Sequence, residues 1–274
     1  QSGVKMYARS ITNEKCITTS YNNKNALYLD IKRAIFIYKK RDSAKAKPYR
    51  LGTIWKMLDP LLKTMIYYFV FTVIRFNTNV GTLMVGLALI HVLTENLTKG
   101  VKQMDFFGLK IERIPTRVII LSDLFDVISN SFIHSITTLL LLLYLDASLW
   151  TIPFVPLIFV FSGLTWFAIG KALLPIANRF PDFRKLVSYF SLMMFFISPA
   201  LYPLSITKGF HRQLCLYNPF SYFSEPTRAI AFGDVSYQLL FPWMWGVIVF
   251  TTATLLFHGF WMVDKQRWKW STWS

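Results

Sequence analysis

Charged residues are scarce in this 274-residue chain, 16% against the roughly 25% of soluble domains, while 54% of its residues are apolar. Twelve glycines and 12 prolines are too few for a collagen-like chain, and 2 cysteines are too few for a disulfide scaffold. The apolar content excludes intrinsic disorder. Acid is the scarcer charge: 14 Asp and Glu stand against 30 Lys and Arg, a formal charge of +16. Catalytic signatures are missing too. No HExxH, CxxC or GxSxG occurs, and the nearest approach to a phosphate loop, Gly163 to Gly170 with Lys171 and Ala172, has the wrong spacing and no hydroxyl for magnesium. The histidines, His91, His134, His211 and His258, are scattered singly. No metal or nucleophile chemistry is expected, and a structural role is favoured for each histidine.

What remains is a chain in which oily and basic stretches alternate. A transmembrane helix needs about 20 mostly apolar residues, and four charge-free runs meet that need: Val127 to Leu145, Ala147 to Gly170, Leu186 to Thr207 and Val235 to Val263. Asp146, Ala147 and Ser148 between the first two leave room only for a tight turn, so those helices are antiparallel neighbours. Two weaker runs precede them. Trp55 to Ile74 carries Lys56, Asp59 and Lys63, and Val80 to Thr94 continues into Glu95; Asn77, Thr78 and Asn79 between them favour a helical hairpin. The expectation is an all-α integral membrane protein of six spans, with residues 1–50 as an N-terminal segment, 51–263 as the membrane domain and 264–274 as a tail.

Cations collect on the inner side of membrane proteins. With the N-terminus inside, residues 1–56 hold 13, 99–117 hold 5, 171–185 hold 4 and the tail 3, together 25, while Arg75, Lys208, Arg212 and Arg228 fall outside and Lys63 lies in the first span. Both termini are therefore expected inside. The +16 charge reports orientation, and no nucleic-acid partner is expected because the basic residues punctuate apolar spans. Residues 1–50 lack a signal-peptide core and are expected to stay on the protein. Cys16 falls inside and Cys215 outside, which precludes a disulfide between them. Asp123 and Asp126, three apart on one helical face, and Glu95 are intramembrane acids by position. Proximity to the inner boundary and to Lys99 and Arg117 favours simple charge compensation.

Two segments have an interaction character. Over 24–41, Leu27, Leu29, Ile31, Ala34, Ile35, Ile37 and Tyr38 alternate with Lys32, Arg33, Lys39 and Lys40, which suits an amphipathic helix lying on lipid headgroups. Pro48 breaks it, and the chain re-enters the membrane at Trp55. Over 105–117, DFFGLKIERIPTR sets Phe106, Phe107 and Ile111 beside Lys110, Glu112 and Arg113, the composition of a short helix seated in a partner's groove.

Five strings in order carry a resemblance: DIKRAIFIYKKR with RLGTIWKMLDPLL (Arg50 to Leu62, including Gly52 and Trp55), LKIERIPTR (Leu109 to Arg117), NRFPDF (Asn178 to Phe183), ISPALYPLS (Ile197 to Ser205) and LYNPFSYFSEPTR (Leu216 to Arg228). From about residue 25 onward the chain resembles the permease subunits of ABC-2 type exporters, especially those of polysaccharides, O-antigen and teichoic acid. RFPDF departs from the family's Arg-Asp order, and the second span lacks the aromatic centre common there. The resemblance implies a half-transporter in the cytoplasmic membrane of a prokaryote. Two copies would surround a channel, driven by two separate ATPase subunits that bind ATP and magnesium, with no cofactor on this chain and no catalysis by it. Lys32, Arg33, Arg50, Gly52 and Trp55 would form the interfacial helix and entry, in contact with membrane lipids. The segment Phe106 to Arg113 would touch the ATPase, and Tyr217, Asn218, Pro219 and Arg228 would belong to an outer gate.

The cargo in this reading is a lipid-linked glycan or polyol-phosphate polymer. Sugars stack their C–H faces on rings, so Tyr67, Tyr68 and Phe71 in the first span and Tyr189, Phe195, Phe196 and Tyr202 in the fifth are candidates for the path, the two spans facing each other across the dimer by family analogy. Residues 203–238, with Pro203, Pro219 and Pro226, are expected to be short re-entrant helices, since irregular backbone cannot face lipid. Three rivals stay open: an ion-coupled secondary transporter using Asp123 and Asp126, an ABC-2 permease for another lipid or drug, and a membrane transferase.

Overall fold

The computed structural model describes residues 24–46, 54–74, 80–102 and 116–270, which are helices joined by turns and short irregular connections. Among the described residues nine α-helices follow in order: α1 (Lys24–Ala46), α2 (Trp55–Ile74), α3 (Val80–Val101), α4 (Thr116–Tyr144), α5 (Thr151–Arg179), α6 (Phe183–Ile197), α7 (Gly209–Tyr217), α8 (Ser221–Phe232) and α9 (Pro242–Trp270). Among the described residues three helices are long and apolar enough to cross a bilayer: α3, α4 from Arg117, and α5.

One of the two weaker spans by sequence, α3, is the centre of the bundle. Every residue from Gly81 to Ile90 is buried, and α3 packs against α2, α4, α5, α6 and α8. A helix segment surrounded on all sides is apolar all round, as Leu83 to Ile90 is. It approaches α5 closely: a Cβ on Gly100 would sit 2.7 Å from the Gly170 Cα, so only paired glycines let the two backbones touch. Polar side chains tie further helices on: Asn96 donates to Ser131 Oγ of α4 at 3.2 Å, and Thr165 of α5 meets Thr252 of α9 at 3.1 Å.

The expected turn between α4 and α5 is present. Asp146 takes φ 56, a left-handed conformation that Asp tolerates better than most residues, and Ser148 N–H donates to Ala231 O at 3.0 Å, fastening the turn to α8. The first helix of this pair begins at Thr116, not at Val127 as expected. Its partner runs from Thr151 to Arg179.

Two expected spans are corrected. The run from Leu186 to Thr207 is not one helix, because α6 stops at Ile197. Ser198 precedes Pro199 and takes ψ 154, since a following proline disfavours helical backbone. Fifteen residues reach about 22 Å, short of a hydrocarbon core of about 30 Å. The last span likewise begins at Pro242 instead of Val235; residues Val235–Leu239 form a separate 3-10 turn. Proline is pre-organised for a first helical position.

Helix α1 extends to Ala46, past the expected end at Arg41, and lies against α4. Tyr38 donates to Ser129 Oγ at 2.7 Å, and Arg41 reaches Asp123 at 2.9 Å. Its apolar residues do not share a face: Ala34 is buried, whereas Tyr28, Leu29 and Phe36 are exposed beside Lys32 and Lys40.

Candidate functional site

The residues between α6 and α9 form a tightly fastened cap. After Ser198 the chain passes a 3-10 turn at Leu204–Ile206, then α7 and α8, the latter ended by Gly233 in the left-handed conformation, φ 69. Arg228 is fully buried and is the hub. Its Nε donates to Thr82 O of α3, one terminal nitrogen to Tyr202 O and the other to Ala200 O, each at 3.0 Å. The Glu225 carboxylate, one turn back on α8 and equally buried, accepts at 2.6 Å. A guanidinium offers five donors in a fixed plane, so one side chain joins α3, α8 and the broken segment after α6. Glu225 escaped the sequence reading, though its three-residue spacing from Arg228 was a visible signal.

Asn218 fastens the other side. Its Nδ2 donates to Ser198 Oγ at 2.9 Å and its Oδ1 accepts from Phe220 N–H at 3.0 Å, a turn that Pro219 continues into α8. Tyr217 is exposed, with its ring 5.8 Å from that of Phe241. Of the four expected gate residues, Asn218 and Arg228 thus act as fasteners inside the cap. Cys215 is fully buried too, donating to Ile197 O at 3.3 Å. Burial pushes its thiol up to about 11, so the thiol is shielded by the cap whichever side of the membrane it lies on.

The aromatic candidates separate. Tyr189 and Phe196 lie seven apart on α6 and are both exposed, whereas Phe195 packs against the core, edge-on to Phe196 at 5.1 Å. Tyr202 lies in the break after α6, not in a helix; its hydroxyl donates to Phe196 O at 3.0 Å and meets His211 Nε2 at 2.6 Å. The side chains of Tyr67, Tyr68 and Phe71 lie outside the described residues, as do Arg50, Gly52 and the whole coupling segment of Phe106, Phe107, Lys110, Ile111, Glu112 and Arg113. At the entry, Lys32 lies 4.5 Å over the Tyr28 ring, Arg33 is 3.9 Å from Asp30, and Trp55 is half-exposed.

A second constellation runs between α3 and α4. Along α4, Asp123, Asp126, Asn130 and His134 fall at helical spacing; along α3, Lys99, Glu95 and His91 do the same. The helices are antiparallel, so the two series meet. Asp126 pairs with Lys99 at 3.4 Å, and Glu95 accepts from Asn130 and lies 3.3 Å from His134 Nε2. Asp123 is held by Arg41 of α1 at 2.9 Å and by Lys171 of α5 at 3.2 Å. The compensation expected of Lys99 is therefore present at Asp126. The cations on Asp123 are Arg41 and Lys171, and Glu95 does not end its helix, lying six residues inside Val101. No cluster of three His, Cys, Asp or Glu suited to a metal occurs among the described residues.

A scan against protein-family models finds no match to this sequence, and a search of curated proteins finds none. The structure itself carries the membrane reading: a helical bundle with three helices able to cross a bilayer.

Proposed function

We propose that this chain is the permease subunit of an ATP-driven exporter of the ABC-2 type, working as a pair with two separate ATPase subunits on a lipid-linked polysaccharide or teichoic-acid-type polymer. The observation that carries the reading is the arrangement around the last span. A short helix (α6), a proline-broken segment and two short helices (α7, α8) precede α9, and the motif of Asn218, Pro219 and Arg228 closes them into one cap. Short helices between the fifth and last spans are what the resemblance implies for the outer gate. Helix α1, docked on α4 through Arg41 and Asp123 and exposing Leu29, Phe36, Lys32 and Lys40, suits an interfacial helix on the inner side. In this reading α2, α9 and the unit made by α6 with the broken segment after it join the three long helices as spans, with both termini inside.

The exposed ring pair of Tyr189 and Phe196 is the part of the aromatic path that the chain itself presents. Ring stacking lets a hydrated polymer slip while remaining held. The test is isolation of the tagged full-length protein from its native membranes in mild detergent. Co-isolation of a nucleotide-binding ATPase in equal copy number supports the proposal. Recovery of the chain alone, with transport abolished by an uncoupler and not by ATP depletion, overturns it in favour of ion coupling.

A further inference from the structure

Charged side chains in the middle of a membrane protein cannot face hydrocarbon without cost, so where they are part-exposed they mark a surface that meets water or protein. Helix α4 shows the contrast on one element. Ile128 and Phe132 are exposed on one side, while Asp126 and Asn130 lie part-exposed on the other, toward α3. The polar side is continuous. Asp126 and Lys99 keep 25% and 28% of their side-chain surface, and Glu95 keeps 34% although it lies well inside α3. Helix α2 closes the third wall with Lys63 and Asp59, paired at 2.5 Å and about half exposed, both within electrostatic reach of His91.

Depth follows from helix rise. His91 is ten residues from Val101 and eleven from Val80, so it lies about 15 Å from either end of α3, at the midpoint. Glu95 and His134 meet one turn short of it. Counting inward from the end that carries α1, Asp123 is matched by Arg41 and Lys171, and Asp126 by Lys99. The Glu95 carboxylate, innermost, accepts from the Asn130 amide and lies against the His134 ring, with Lys99 one turn back toward the mouth. The outer acids contact lysine or arginine directly, and the innermost contacts an amide and an imidazole.

We propose that α2, α3 and α4 enclose a water-filled crevice that opens at the α1 end and ends at Glu95 and His134, and that its floor binds small hydrophilic cations. The crevice does not depend on what drives transport. Only its assignment to the cytoplasmic side rests on the topology proposed above. It leaves the aromatic stripe of α6 as a separate surface, so one chain presents a charged blind pocket and an apolar, ring-bearing face on different helices.

The test uses the full-length protein with Cys16→Ser and Cys215→Ser, in sealed vesicles of both orientations. Asn130→Cys places a thiol beside Glu95, and Phe132→Cys places one on the apolar face two residues on. Both are treated with a membrane-impermeant trimethylammonium thiosulfonate or its sulfonate analogue, each rate normalised to that of free cysteine. Modification of Asn130→Cys from the cytoplasmic face only is expected, at least tenfold faster with the cation, with Phe132→Cys untouched by either reagent. Adding Glu95→Gln should cut the cation preference at least threefold. Asp126→Cys, one turn nearer the mouth, serves if Asn130→Cys does not fold. Modification from the opposite face alone supports the crevice and overturns the proposed topology. No modification from either face, while a permeant maleimide labels the same thiol, overturns the crevice. An unchanged preference in Glu95→Gln overturns the cation site.

Discussion

Replacing Arg228 by Leu should test the cap directly. The substitution removes donors from three main-chain carbonyls, those of Thr82, Ala200 and Tyr202, and leaves the buried Glu225 carboxylate without its counter-ion. Breaking a buried pair from one side costs about 3–5 kcal/mol, a large part of the roughly 5–15 kcal/mol by which a typical domain is stable. Arg228→Lys keeps the charge and should lose less, because an ammonium has three donors and cannot address acceptors on α3, α8 and the broken segment together. Glu225→Leu with Arg228→Leu removes the stranded charge and should recover part of the loss, with a coupling of about 0.5–3 kcal/mol, but not all of it, since the carbonyls of Ala200 and Tyr202 still lose their guanidinium donor. The assay is equilibrium unfolding in mixed micelles followed by tryptophan fluorescence. An Arg228→Leu midpoint equal to that of the unaltered protein, or a double variant whose loss equals the sum of the single losses, would refute the hub.

Three further outcomes are expected. Cys215 should react slowly with a water-soluble thiol reagent at pH 8, and its rate should climb about tenfold per pH unit toward about 11; a fast, pH-independent rate would contradict its burial. Arg228→Lys should raise that rate severalfold at constant pH by loosening the cap, read by mass spectrometry of the α7 peptide. Gly170→Val should destabilise the bundle by more than 2 kcal/mol, within the range for overpacking a tight contact, because its Cβ would meet Leu97 O at 2.5 Å; unfolding at the parental denaturant concentration would contradict the α3 and α5 contact.

Much of the fold is written in local pattern. The Asp146 turn follows from a single polar interruption between two apolar runs, and the ends of α2 coincide with the expected run, Trp55 to Ile74. The break at Ser198 was also legible, since Pro199 and Pro203 follow it, but absence of charge is a poor guide to helix continuity. Charge counting erred in the opposite direction on α3. Glu95 and Lys99 made it look like a marginal span, yet partners from α4 satisfy both, and Gly86 and Gly100 place it at the centre. Such partners are set by the register of antiparallel helices. Glu95 and His134 are 39 positions apart, and only the four-residue spacing of His91 and Glu95 hinted at a polar stripe. Arg41 and Lys171 around Asp123 are tertiary in the same way. The aromatic candidates were chosen by type, and type does not tell Phe195, turned to the core, from Phe196, turned outward. Phe159 and Phe161, two outwardly similar rings on α5, are likewise core residues, so the exposed Phe250 and Phe257 of α9 are the fitting controls for ring removal on α6.

The claim that this chain is half of a machine powered from outside itself is tested most directly by reconstitution. The complex isolated from native membranes is placed in liposomes loaded with lipid-linked polymer, and polymer reaching the trans side is measured with ATP, with ATP and vanadate, and with an ion gradient alone. Export that requires ATP, stops with vanadate and is slowed when Tyr189 and Phe196 are both replaced by Ala is the predicted result. Export driven by the ion gradient in the absence of ATP would contradict the account.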